Sequence, residues 1–152
     1  MYKHILIPTD GSDLSQQAIE HGIALAKAVG ARVTVITVTE PFYASAFEPS
    51  MVEHYKKHVA ALATKHLDDA KTAANSSNIS CEVVRLEHEQ PYQAIIDAAE
   101  ARGCDVIVMA SHGRRGLSAI VLGNETMKVL THSPIPVVVV RRPRRSDYFA
   151  AS

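Results

Sequence analysis

"DVIVMASHGRRGLSAIVLGNETMKVL", residues 105–130, holds the passage that decides the fold. It opens on an apolar, β-branched run of strand length (105–110). It then crosses a polar segment that carries Gly113, Gly116 and Gly123, and runs on into "NETMKVLTHS" (124–133), whose apolar spacing is helical. So many glycines between a strand and a helix leave backbone N–H groups with little side chain over them. That passage has two readings: glycines that shape a tight turn, or a cradle for an anion at a helix N-terminus.

Outward from this stretch, strand-length apolar runs alternate with helical segments. The other strands are read at "HILIPT" (4–9), "RVTVITVT" (32–39), "CEVVRLE" (81–87) and "IPVVVVR" (135–141). The first, fourth and fifth are nearly continuously apolar, as in strands covered on both faces. The helices are read at "DLSQQAIEHGIALAKAVG" (13–30), "MVEHYKKHVAALATKHLDDAKTAAN" (51–75), "PYQAIIDAAEARG" (91–103) and 124–133. Ser12 is the expected N-cap of the first, Gly30 its stop, and Pro91 the opening of the third. Alternating strands and helices predict an α/β fold: one open, doubly wound, five-stranded parallel sheet of order 3-2-1-4-5. Ligands of such sheets sit at the carboxyl ends of the strands, where the winding direction reverses. That point falls between strands one and four, so "IPTDGS" (7–12) and "VMASHGRRG" (108–116) are expected to face each other.

The 152 residues fit one domain, expected over 1–142 with a flexible basic tail over 143–152. With 47% hydrophobic and 21% charged residues the composition is that of an ordinary globular chain. No apolar run approaches the roughly 20 residues of a membrane span, and no signal peptide is legible, so a cytoplasmic location without a membrane role is expected. Sixteen basic residues balance 16 acidic ones, which gives nucleic acid no global field to respond to. Arg141, Arg142, Arg144 and Arg145 crowd the C-terminus and read as a solvated end. Cys81 and Cys104 lack CxxC spacing and read as buried thiols.

The phosphate reading has specific residues behind it. Gly113 and Gly116 let a backbone approach an anion, Gly123 and Asn124 stand where the fourth helix starts, and Arg114 and Arg115 add charge. Asp10 ends strand one, where it would bond a ribose or hold a nucleotide-bound Mg²⁺, or else shape the turn with Gly11. His112 reads as a hydrogen-bonding structural residue rather than a general base. His54 and His58 have i,i+4 spacing without an HExxH pattern and read, with His66, as a wet helix face. A receiver domain would need an Asp after strand three and a Lys after strand five, which "VRLEHEQ" and "VVVVRR" lack. The P-loop pattern GxxxxGK[ST] is absent, and "TDGSDLS" (9–15) is not a flavin phosphate loop.

In "ILIPTDGS" (5–12), the block 105–130 and "SPIPVVVVR" (133–141), the chain resembles the universal stress protein family along nearly its whole length. The resemblance implies a five-stranded α/β fold and a homodimer through the last strand, here Ile135 to Val140. It divides members into nucleotide binders and non-binders. The binders' pattern is Gly-x-x-Gly, nine residues, then Gly and Ser or Thr. Gly113 and Gly123 fill the second and third glycines, whereas Ala110 stands for the first and Asn124 for the hydroxyl residue. By similarity Pro8, Thr9, Asp10 and Val38 border the adenosine, the Val38 backbone reads the adenine edge, and 110–116 with Gly123, Asn124, Glu125 and Thr126 hold the phosphates. The implied ligand is ATP or another adenine nucleotide, with Mg²⁺. The implied role is a dimeric stress-response regulator or signalling module. The alternatives are a dimeric interaction module that binds no nucleotide, or a very slow ATP hydrolase. No residue stands out as a water-activating base, so any hydrolysis is expected to be slow. Phe42, Tyr43 and Phe47 in "EPFYASAFEPS" (40–50) are expected to pack on their own helix, the alternatives being a cover over the nucleotide or over the neighbouring subunit.

Overall fold

The computed structural model describes residues 1–41, 48–113 and 122–142. The chain alternates as read: β1 (His4–Pro8), α1 (Asp13–Val29), β2 (Arg32–Thr39), α2 (Pro49–Ser76), β3 (Cys81–Glu87), α3 (Pro91–Ala101), β4 (Val106–Ala110), α4 (Asn124–His132) and β5 (Val137–Val140). All neighbours are parallel and the order is β3-β2-β1-β4-β5. The expected tail (143–152), Phe42, Tyr43, Phe47 and the residues Arg114, Arg115 and Gly116 lie outside the described residues.

Local chemistry sets the ends of the elements. Ser12 caps α1, its Oγ accepting the Ser15 N–H at 3.2 Å. Gly30 stops that helix in the left-handed region at φ 75°, where a Cβ would be strained. The helix α2 begins two residues earlier than its apolar spacing indicates, because Pro49 is pre-set for a first helical turn. At α4 the N-cap is Gly123 and Asn124 is the first helical residue, so Asn124 does not act as the cap.

Period-two alternation sorts the sheet onto two cores. Ile5, Ile7, Val33, Val35, Val106 and Val108 point to one face, where Ile19 and Ile23 of α1 and Leu67, Ala70 and Ala74 of α2 cover them. Leu6, Ile36, Ile107 and Met109 point to the other, against Ile95, Ala98 and Ala99 of α3 and Val129 of α4. Gly22 of α1 lets the helix approach Ile7, whose Cδ1 occupies the space a Cβ would need. β5 is half-exposed along its length although Val138 and Val140 pack on the first core and Val137 on the second. It is an edge strand of the sheet, paired on one side only, with β4.

Both cysteines are free thiols. Cys104 is buried, which pushes its thiol up to about 11, while Cys81 on the outer strand β3 is only half-buried and is raised for the same reason. At the amino end of the sheet His4 is buried, its Nδ1–H donating to the Arg102 carbonyl at 3.1 Å and its Nε2 accepting from the Thr34 hydroxyl at 2.7 Å.

Candidate functional site

The ladder between β1 and β4 has its pairs at Ile5–Val106 and Leu6–Ile107, whereas β1 and β2 pair as far as Pro8–Ile36. The chains leaving β1 and β4 therefore part at the carboxyl end, on either side of the point where the winding reverses. A cleft of about 730 Å³ opens there. Its floor is the ends of three strands: Pro8, Thr9 and Asp10 after β1, Thr37 to Glu40 at β2, and Met109 and Ala110 of β4. His112 and Gly113 follow β4, and Gly123, Asn124, Glu125 and Thr126 open α4 along the same side.

Of the described residues that the resemblance assigns to a nucleotide, all but Ser111 line the cleft. Ser111 is 2% exposed; its Oγ bonds His112 Nδ1 at 3.1 Å, and its carbonyl accepts the Gly123 N–H at 2.7 Å. The two loops meet as expected, because a Cβ on Gly113 would overlap Oδ2 of Asp10. Asp10 also shapes its turn, since Oδ1 accepts the Ser12 N–H at 2.9 Å. Thr9 is tied inward, its Oγ1 sharing a hydrogen bond with Ser15 Oγ at 3.0 Å and accepting the Gly11 N–H at 3.2 Å.

Three of the lining side chains also have partners inside the fold. The Ala110 methyl packs with Leu14, Ala18 and Val140, so the group that replaces a glycine hydrogen is absorbed against α1. Thr126 donates its hydroxyl to the Ala110 carbonyl at 2.9 Å. Glu125 Oε2 accepts the Tyr92 N–H at 2.7 Å, which satisfies an open donor in the first turn of α3. Glu125 borders the cleft, but its carboxylate closes the neighbouring helix. The N–H groups at the start of α4 have no preceding helical turn to accept from them, which makes that end partly positive.

Sequence reading missed one wall. Tyr55, Val59, Leu62, Ala63 and His66 of α2 line the cleft, with Pro91 and Ile95 of α3 opposite. Their spacing along α2 is the helical stripe that buries Leu67, Ala70 and Ala74 farther on, and its continuation past the sheet was the available signal. His66 is half-buried there, its ring filling the space beside Gly11, where φ is +79°. His54 and His58 are exposed, as read. Among the described residues no three His, Cys, Asp or Glu side chains form a metal set, and no helix is long and apolar enough to cross a membrane.

Comparison with known proteins places this geometry among relatives. The model of the universal stress protein family matches residues 1–141. Universal stress protein MJ0531 of Methanocaldococcus jannaschii is 34% identical over 149 residues, covering 95% of this chain and 85% of its own length. The solved structure of MJ0577 from the same organism superposes with a TM-score of 0.82 at 28% identity, over 95% of this chain and 99% of that one. A universal stress protein solved in complex with cAMP shares the fold, with a TM-score of 0.66 at 22% identity over 91% of this chain and 97% of its own.

Proposed function

The chain belongs to the universal stress protein family, and from that premise we propose that its cleft binds an adenine nucleotide, ATP foremost. The observation that carries this reading is the meeting of two loops at the switch point. Asp10 abuts Gly113, and the first turn of α4, capped by Gly123, opens beside them. The residues fit the ligand. Val38, Met109 and Ile95 offer an apolar floor for a base, Asp10 presents a carboxylate to a ribose hydroxyl or a nucleotide-bound Mg²⁺, and the N–H groups of α4 suit a phosphate. The relative solved with cAMP shows that a protein of this fold takes an adenine nucleotide.

The proposed activity is binding rather than turnover, and the working form is a dimer joined through the edge strand β5. The half-exposed valines of β5 favour that assembly, since an apolar open edge invites pairing with a second copy. Mass spectrometry of the small molecules released from heat-denatured purified protein identifies the ligand. Calorimetry is expected to give micromolar affinity for ATP with Mg²⁺, about −8 kcal/mol. No heat and no thermal shift at millimolar ATP overturns the reading and leaves an interaction module that takes no nucleotide.

A further inference from the structure

The helices α3 and α4 are tied together where both border the cleft. Pro91 of α3 and Glu125 of α4 line it, and the hydrogen bond from the Tyr92 N–H to Glu125 Oε2 (2.7 Å) runs from one helix to the other. In the first turn of α3 the Gln93 and Ala94 N–H groups share the Gln90 carbonyl, so the Tyr92 N–H takes Glu125 as its acceptor. The half-buried Tyr92 ring is held as well. Lys128 Nζ lies 5.5 Å from its centroid, and the His132 ring stands against it at 5.4 Å, tilted by 32°. Lys128 Nζ also reaches Glu125 Oε1 at 3.7 Å. Glu125, Lys128 and His132 follow one another at helical spacing, so one stripe of α4 lies along a single residue of α3.

The helix α4 has few other holds. Of its nine residues only Thr126 and Val129 are buried. The Lys128–Glu125 pair is half open to water and adds little to stability, so what the set fixes is position. A ligand with its base by Val38 and Ile95 meets the first turn of α4 at a distance that the separation of α3 and α4 sets. We propose that Tyr92 is a positioning residue of the cleft: seated between Lys128 and His132 and tied to Glu125, it clasps α3 to α4 and holds the start of α4 in register with the base end. Glu125 is a strut in this clasp, not a ligand of the phosphates. The role in binding rests on the reading of the cleft as a nucleotide site, whereas the clasp itself does not.

Amide hydrogen exchange and calorimetry on the full chain test the clasp and its role separately. In wild type the Tyr92 amide is expected to exchange slowly although it lies in the first turn of a helix, a readout that needs no variant to fold. In calorimetry with Mg²⁺, Tyr92→Ala is expected to weaken ATP about tenfold and to leave adenosine unchanged. Tyr92→Phe, which keeps the ring and the N–H, should restore the ATP affinity. Tyr92→Ala combined with Glu125→Ala should lose less than the two single losses together, because both act through one joint. A Tyr92 amide that exchanges freely in wild type overturns the clasp. Equal weakening of ATP and adenosine in Tyr92→Ala, unchanged ATP affinity, or independent losses in the double variant overturn the positioning role alone. Wild-type protein that binds neither compound overturns the nucleotide reading and the role in binding with it, while slow Tyr92 exchange still upholds the clasp.

Discussion

Asp10 and Gly113 touch across the point where the sheet reverses its winding: a Cβ on Gly113 would occupy the place of the Asp10 Oδ2 atom. The two residues are far apart in sequence, one after β1 and the other after β4. Their contact makes one wall out of two loops, and it sets how each loop tolerates change.

Gly113→Val is expected to displace the Asp10 carboxylate and to narrow the anion corner. Gly113 and Asp10 are both exposed, so the fold yields there at little cost and the melting temperature should stay within about 2 °C. ATP affinity should fall at least about tenfold, the loss of one hydrogen bond to a charged group. Calorimetry beside a thermal melt checks both, and unchanged affinity would remove Gly113 from the site.

Asn124 is exposed at the first position of α4, where the family's nucleotide binders carry a hydroxyl residue. Asn124→Ser is expected to tighten ATP binding several-fold, up to the roughly 1.5 kcal/mol at the low end for a hydrogen bond to a charged group. Equal affinities in the two proteins would show the amide to be as good a neighbour as the hydroxyl.

Gly22→Ala tests the packing of α1 on the sheet. Alanine favours a helix interior by about 1 kcal/mol over glycine. Its methyl, however, would overlap Cδ1 of the fully buried Ile7. Overpacking of that kind costs about 1–3 kcal/mol, so net destabilisation is expected. Ile7→Val removes the offending atom, and the double variant should be more stable than the sum of the single effects indicates. Additive denaturation energies would contradict the contact.

His4 links stability to pH. Burial, and after it the Arg32 charge, lower its pKa from 6.5, against the weaker opposing effects of the Arg102 carbonyl, Asp105 and Glu82. Folded His4 therefore holds its proton less tightly than unfolded His4. The stabilisation is fully present above the ordinary value of 6.5 and is lost as pH falls through the folded value. Denaturant titrations between about pH 8 and about pH 5 should show wild type losing stability relative to His4→Gln, which cannot titrate there. Parallel profiles would remove His4 as the cause.

The edge strand offers a test of assembly. Val139, half-exposed, is packed into neither core among the described residues, unlike Val137, Val138 and Val140. Val139→Asp should therefore leave the fold intact and convert a dimer to monomer in light scattering at micromolar concentration. Wild-type protein that is already monomeric there ends the dimer proposal and leaves the nucleotide proposal standing.

The strand order was legible in the chain because alternating β and α segments with right-handed crossovers allow few parallel sheets, and "IPTDGS" and "VMASHGRRG" then had to meet. Ser12 and Gly30 could be read as helix ends because a cap acts on its own neighbours. Which of the polar groups lining the cleft spend their hydrogen bonds inside the fold was not legible. Thr126 reaches a carbonyl 16 residues away and Glu125 an amide 33 residues away, and neither separation leaves a mark in local spacing. Ser111 and His112 adjoin in sequence and are both buried, yet only His112 lines the cleft. The α2 wall is a stripe whose periodicity says that one face is apolar, not that Tyr55, Val59, Leu62 and Ala63 line the cleft. Periodicity and turn chemistry act within a few residues, so they determined the elements and their ends. Pairings between distant segments depend on the packed positions of whole elements, and only the tertiary structure decided them.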